Sequence, residues 1–451
     1  MKKPGISFLL LWMGLLLIPP CTSLLTGEEQ KKTESYTLDQ YLEKVSQYSR
    51  DLNIARKNIL QAELGVRQAK ASLFPRISLQ GGYSRNFLDV EQPSPVAVDT
   101  TVGGIAPLIY KDVDVNKDNN FSLGLSASQV IFDMRAYDAL KYGQEYENIT
   151  RTGYKEADRT IRNAAKKLYF LAVLQEEVVK VKESSEQNEY NVYLDARKKY
   201  EAGVVQELEV LRAEVNWKTK RSEVSQARKD AELSRVNLKT LAGIPLDTEL
   251  ILEERLETVP PLPSSVPLEE ILGQRSDYEL LLRQKRLAEL SVALARDEAY
   301  PSVAGILSWN RSYSENGFNF DDPTDIFQLG FQVSIPLYTG GAVSSKVNSA
   351  LLEIEKTELE INKLRDTITT EIRRIELTLQ EARERMDTAI ALRETAERAY
   401  QLAQHAHRNG LITTLEMNDS AVQLEGARLQ YSLAVFDYLT AYFDWETAMG
   451  R

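Results

Sequence analysis

Apolar and small polar residues alternate with a period of two in several short stretches of this chain, and helical spacing governs most of what lies between them. In the first stretch Ile77, Leu79 and Tyr83 oppose Ser78, Gln80 and Ser84. In the second, Phe121, Leu123, Leu125 and Ala127 oppose Ser122, Gly124, Ser126 and Ser128. Much later, Phe327, Leu329, Phe331, Val333, Ile335 and Leu337 oppose Gln328, Gly330, Gln332 and Ser334. The stretch through Val303, Leu307 and Trp309 is less regular, with Ile306 on the other face. Alternation of this kind predicts strands with one apolar face, and about ten residues is the length of a strand that crosses a membrane. An ordinary sheet half-buried under a helix has the same pattern, so alternation leaves both readings open.

The stretches between the strands narrow the choice. From about 135 to 202 there is no proline and little glycine, so a single helix of that span runs ~100 Å at a rise of about 1.5 Å per residue. The stretch from 342 to 409 is similar, and it carries apolar residues every seventh position: Val347, Ile354, Ile361, Ile368, Ile375, Ala382, Ala389, Ala396 and Ala403. The earlier stretch shows Ala157, Ala164, Leu171 and Val178, interleaved with Ile161 and Leu168. Sevenfold spacing predicts helices packed side by side along a supercoiled seam. After Ile375 the knobs shrink from Ile to Ala, which lets neighbouring helices approach and predicts a structure that narrows toward residue 403.

The chain is written twice. Leu73-Phe74-Pro75-Arg76-Ile77 recurs as Ala299-Tyr300-Pro301-Ser302-Val303, and Phe121-Ser122-Leu123-Gly124-Leu125 as Phe327-Gln328-Leu329-Gly330-Phe331. Gly203 recurs as Gly410, Leu208-Glu209 as Leu415-Glu416, and Gly243 as Gly450. The first copy has extra residues between Tyr83 and Phe121, where Pro93, Pro95, Asp112, Asp114 and Asp118 read as a long polar loop. The predicted organisation is a signal peptide at 1–20, a first repeat at 21–243, a proline-rich linker at 244–267 and a second repeat at 268–451. Strands are expected at about 76–85, 121–132, 301–312 and 326–338. Long helices are expected at about 135–202, 205–242, 342–409 and 412–448. Glu28–Ser35 and the Ile244–Pro267 linker are expected to supply a belt around the middle of the helices.

Lys2 and Lys3 precede an apolar run from Ile6 to Ile18 that breaks at Pro19-Pro20-Cys21, which is the layout of an export signal. Cys21 is the first residue of a lipoprotein on one reading; cleavage after Ser23, discarding Cys21, is the other. Beyond this run nothing approaches the ~20 apolar residues of a spanning helix, so a chain that crosses a bilayer must do so with strands. The net charge is −11 with no basic block, a poor basis for nucleic-acid binding. Two histidines and one cysteine leave no zinc spacing and no disulfide. His405 and His407 fall on different helix faces and read as surface residues. There is no phosphate loop and no nucleophile elbow, so neither an enzyme nor a cofactor is expected.

Four strands cannot close a barrel, and open edges in lipid leave unpaired backbone groups that cost several kcal/mol each. A spanning reading therefore requires chains to pool strands: two chains give eight, and three give twelve with room for a water-filled lumen. In order along nearly the whole chain, the residues resemble the TolC-type outer-membrane efflux family. The resemblance rests on Tyr36-Thr37-Leu38-Asp39-Gln40-Tyr41-Leu42, the helix ending at Pro75 and its echo at Pro301, and the passages Val130-Ile131-Phe132-Asp133 and Ile335-Pro336-Leu337-Tyr338-Thr339-Gly340-Gly341. It is completed by the turns Lys199-Tyr200-Glu201-Ala202-Gly203-Val204 and His407-Arg408-Asn409-Gly410-Leu411. It implies a mixed α+β membrane protein: a homotrimer whose 12-stranded barrel in outer-membrane lipid continues as a periplasmic α-helical tunnel. It further implies a passive exit duct for drugs, toxic compounds or metals, driven by an inner-membrane transporter through a periplasmic adaptor.

The resemblance also implies where partners and gate lie. Gly203 and Gly410 permit a positive-φ helix-to-helix turn, and with Val204 and Leu411 they would form the tip that meets the adaptor. Glu209, Glu416 and Asp419 follow the tip glycines, and Glu416 and Asp419 share a helix face. In a trimer they would form acidic rings that favour cations at a gate. Ile412 stands where some members of the family carry a basic residue, so closure would fall to packing or to Arg408 or Arg212. Two other readings remain: the outer-membrane duct of a type I protein secretion system, and a non-conducting periplasmic coiled-coil protein whose strands form a soluble head. They part at the strands, since a soluble head buries the apolar face in a core.

Overall fold

The computed structural model describes residues 33–88, 90–98, 108–114, 116–256, 259–318 and 320–451. The export-signal reading and Cys21 lie outside them. The first copy runs through β1 (Thr33–Tyr36), α1 (Leu38–Tyr48), α2 (Arg50–Ala71), β2 (Arg76–Arg85), β3 (Glu91–Val98), β4 (Leu108–Asp114), β5 (Asn119–Phe132), α3 (Met134–Glu201) and α4 (Glu207–Ala242). The second runs through β6 (Glu249–Leu252), α5 (Leu268–Gln274), α6 (Ser276–Asp297), β7 (Ser302–Glu315), β8 (Thr324–Ser334), α7 (Ala342–Arg408) and α8 (Thr414–Ala448).

α3 and α7 are 68 and 67 residues long, so each is a rod of ~100 Å. Near the strands they are flanked by α2 and α6, and toward the far end by α4 and α8. In α7 the buried residues follow the sevenfold repeat: Ile368, Ile375, Ala382 and Ala389 face inward, with Ile372, Leu379 and Met386 between them. Asp133 caps the start of α3 by accepting from the Arg135 amide at 3.0 Å.

β2, β5, β7 and β8 form an antiparallel sheet in that order. Its register aligns Leu79, Leu125, Trp309 and Phe327 on one face. On the other face it aligns Ser78, Ser126, Ser308 and Gln328, with the Ser78 and Ser126 hydroxyls 2.8 Å apart. Ile306 lies on this polar face, between Ser128 and Gly330. Among the described residues no helix or second sheet covers the apolar face, and Leu79 and Leu329 are 66% and 69% exposed.

Three expectations need correction. The insertion between Tyr83 and Phe121 contains a hairpin of β3 and β4, in register from Glu91↔Asp114 to Val98↔Leu108, rather than only a polar loop. Both strands of a two-stranded ribbon are edge strands, so Pro93 and Pro95 need no ladder donor on their outer side, while the sequence supplies the β-formers Ile109, Tyr110 and Val113. β8 stops at Ser334 rather than continuing to 338, because Pro336 cannot donate to a ladder. Beyond it Gly340 and Gly341 adopt positive φ to turn the chain into α7.

The third correction concerns the segment between the copies, which is more than a linker. Its β6 pairs in parallel with β1, Thr33 against Glu249 through Tyr36 against Leu252. Leu250 and Leu256 are buried against the helices beside Tyr41, Tyr169, Tyr438 and Trp445. The Tyr169 hydroxyl donates to the Tyr36 carbonyl at 2.8 Å, and the Tyr41 hydroxyl to that of Leu238 at 3.2 Å. The start of the first copy and the joint between copies therefore make one ordered layer against the middle of the rods.

Candidate functional site: the helical tip

The end of the rods farthest from the sheet is built from two near-identical turns. After α3, Gly203 adopts φ +73°; its amide donates to the Tyr200 carbonyl at 2.9 Å and that of Val204 to Lys199 at 2.8 Å. After α7, Gly410 adopts φ +71°, with matching bonds from Gly410 to His407 at 3.0 Å and from Leu411 to Ala406 at 2.9 Å. A left-handed residue lets the last carbonyls of each helix find donors, and glycine adopts it without a Cβ clash. The turns present apolar residues to solvent, Val204 at 71% and Leu411 at 76% exposure.

The three acidic residues expected at a gate sit in different circumstances. Glu416 is bound into a capping box at the start of α8: its carboxylate accepts from the Thr413 amide at 2.8 Å and hydroxyl at 2.9 Å, while its own amide donates to Thr413 Oγ1. Those two donors hold its carboxyl below the usual glutamate range. The Asp419 carboxylate accepts from Gln423 Nε2 at 2.9 Å, and that of Glu209 pairs with Arg212 at 3.2 Å. All three are exposed. Thr413-Thr414-Leu415-Glu416 spells the capping signature, so this second role is readable in the sequence. His407 Nε2 lies 3.2 Å from Thr414 Oγ1, a contact that ties the end of α7 to the start of α8.

Sequence reasoning missed a buried polar layer deeper along the same helices. Glu425 on α8 is only 7% exposed; it accepts from Lys182 at 2.6 Å and Ser185 at 2.6 Å on α3, and from Lys220 at 2.7 Å on α4. Glu223 on α4 completes the layer, 2.7 Å from Lys182. Glu189, one turn on from Ser185, is 4% exposed, and burial pushes its carboxyl above the ordinary value. The signal for this layer was register: Glu425, Ser432 and Leu439 are spaced by sevens and all are buried, so a charge occupies a core position. Among the described residues no cluster could hold a metal ion, and no helix is long and apolar enough to cross a membrane.

With this geometry in place, the comparisons with known proteins agree. The chain is 23% identical over 424 residues to the pyoverdine export outer membrane protein OpmQ of Pseudomonas aeruginosa, covering 89% of this chain and 84% of OpmQ. It is 21% identical to the alkaline protease secretion protein AprF of the same organism, covering 83% of this chain and 76% of AprF. Its fold is similar to the open state of the Neisseria gonorrhoeae MtrE outer membrane channel, with a TM-score of 0.73 at 16% identity over 92% of this chain and 88% of MtrE. The family described as outer membrane efflux protein matches residues 41–244 and 272–451, both copies of the duplication. The chain belongs to this family, and it is an export duct of the outer membrane that extends into the periplasm.

Proposed function

We propose that three copies of this chain pool their strands into a closed 12-stranded barrel, continued by a tunnel of α-helices, as the passive exit duct of a tripartite export system. The observation that carries this reading is the sheet: among the described residues its apolar face is uncovered, and β2 and β8 each keep one unpaired edge. An open edge in lipid leaves backbone groups unsatisfied at several kcal/mol each, and joining β8 of one copy to β2 of the next removes it. The serine-rich face then lines a lumen. An uncovered apolar face also argues against a soluble coiled-coil head.

The duct supplies no energy of its own; an inner-membrane transporter drives export through a periplasmic adaptor that meets Gly203, Val204, Gly410 and Leu411. Glu209 and Asp419 face the narrowing as gate residues, and Glu416 holds the start of α8. Small molecules are the favoured cargo, in keeping with the likeness to a protein named for pyoverdine export. The likeness to AprF, named for alkaline protease secretion, supports the second reading, a duct for secreted polypeptides.

The test is single-channel recording of the detergent-extracted protein in planar bilayers. Discrete conductances are expected. Protein that stays soluble without detergent and never inserts would overturn the duct. Val204→Asp with Leu411→Asp should abolish adaptor-dependent export while leaving conductance intact; export that persists would move the docking site elsewhere.

A further inference from the structure

Midway along the helices lies a cavity of ≈ 480 Å³, lined by α3, α7, α8 and the segment that follows β6. Four cations line it, Lys180, Arg255, Arg393 and Arg428, against two anions, Glu177 and Glu397. Two of the cations are neutralised locally: Lys180 pairs with Glu177 at 2.6 Å and Arg428 with Glu397 at 3.2 Å. Among the described residues, Arg255 and Arg393 make no ion pair. The Arg393 guanidinium lies 3.9 Å from the centre of the Tyr431 ring, and its Nε is shut off from solvent with no hydrogen-bond partner among the described residues.

That arrangement is costly as it stands. A buried donor without a partner loses its solvation with nothing in return, and two unpaired guanidiniums facing one cavity repel each other. In a chain with a net charge of −11 the spare positive charge has no shortage of carboxylates to pair with, yet it is left open to this cavity. Stacking on Tyr431 fixes the plane of Arg393, which pre-orients its donor fork. A planar fork matches two oxygens of one anion, and Arg255, exposed at the rim, can close on the same group.

We infer that this cavity is a binding site for an oxyanion of the phosphate type, held by Arg393 at its wall and Arg255 at its mouth. Nothing in the duct reading requires such a site. It sits beside the ordered layer of β1 and β6, away from the tip, so a bound anion would tie α7 and α8 to the joint between the two copies. The ion could arrive as free phosphate or as the phosphoryl group of a larger solute, and the cavity is roomy enough for either.

The test uses the full detergent-extracted protein, titrated calorimetrically at constant ionic strength with inorganic phosphate, pyrophosphate and chloride. Saturable phosphate or pyrophosphate binding that chloride does not reproduce is expected. Pyrophosphate binding tighter than phosphate would point to the phosphoryl group of a larger solute, and equal affinity to the free ion. Arg393→Gln and Arg255→Gln should each weaken binding about tenfold or more, as loss of a charge-assisted contact does. Arg393→Lys should also weaken it, because a lysine keeps the charge without the fork. Arg212→Gln, at the distant tip, should bind as wild type. Arg255→Gln, exposed at the rim, keeps the test decisive if changes at Arg393 impair folding. No saturable binding by the wild type, or equal binding by the Arg255→Gln variant, would overturn the site.

Discussion

Lys182 on α3 places its Nζ 2.6 Å from an Oε of Glu425 on α8, and the same carboxylate accepts from Lys220 on α4 at 2.7 Å. One buried glutamate thus ties together three helices of the tip-proximal half. Glu425→Ala would leave two half-buried ammonium groups with only Glu223 to share between them, and breaking a buried pair in this way costs about 3 kcal/mol. The measured consequence should be early melting of the tip-proximal helices by hydrogen exchange. Replacing Glu425 and Lys182 together by Leu and Met should recover much of the loss. Equal damage in single and double variants would mean that the pair is not coupled.

The same carboxylate sets an acid limit. Burial pushes the Glu425 carboxyl up, but the hydrogen bonds from Lys182, Lys220 and Ser185 outweigh it and leave it below its ordinary 4.5. A carboxyl lowered on folding contributes stability above its unfolded value and loses it as pH falls through its folded value. Wild-type protein should therefore lose tip-region protection below about pH 4.5, and Glu425→Gln should lack that acid-dependent step.

Asp297, at the end of α6 just before β7, behaves in the opposite sense. Burial first, then hydrogen bonding and repulsion from Asp138, push its carboxyl from 3.8 up to about 6, with Lys141 pulling down and Asp133 pushing up. Stability from this acid is full below 3.8 and is lost as pH rises through about 6, where two carboxylates must share one buried place. Asp297→Asn keeps the shape and can donate to Asp138. Its melting temperature should exceed that of wild type above pH 6 and match it at acid pH. A variant equally shifted at every pH would mean that the pair does not share a proton.

Glu416 and Asp419 can be separated experimentally. Thr413→Ala removes a helix cap worth about 1 kcal/mol, so α8 should fray at its start with ion selectivity unchanged. Glu416→Gln can retain the capping box and should leave conductance close to wild type. Asp419→Asn has no cap to lose and should reduce cation preference in single-channel recordings. Loss of selectivity in Glu416→Gln but not in Asp419→Asn would reverse these assignments.

The two faces of the sheet should differ sharply in tolerance. Leu329→Arg puts a charge on the face proposed to meet lipid, which would cost about 2–4 kcal/mol near the bilayer midplane, and should fail to assemble in the outer membrane. Its neighbour Gln328→Arg points to the opposite face and should assemble. Fractionation of cells expressing each variant decides the matter.

Some of this protein is local and so was open to reading from the sequence. Period-two alternation specifies a strand with unlike faces, as in Phe121–Ala127, because successive side chains point to opposite sides. The sevenfold run through Ile368 and Ala389 specifies a packed helix, because 3.5-residue spacing keeps one stripe facing its neighbour. Gly203 and Gly410 mark turns because only glycine takes positive φ without cost. Written twice in order, these signals also identify the family.

What tertiary structure alone decides is pairing between residues far apart in the chain. Nothing local to Thr33–Tyr36 or Glu249–Leu252 announces that they pair in parallel. A lone glutamate at residue 425 looks like any solvated charge until α3 and α4 bring Lys182 and Lys220 to it. Glu416, expected at a gate, also caps α8 through Thr413 three residues away, and that short-range signal is present in the sequence. Among the described residues Arg393 makes no ion pair, because the fold stacks it on Tyr431 and gives the cavity's Glu397 to Arg428. Backbone preference and periodicity act over a few residues; charge pairing and burial depend on which helices meet, and that is set by the whole chain at once.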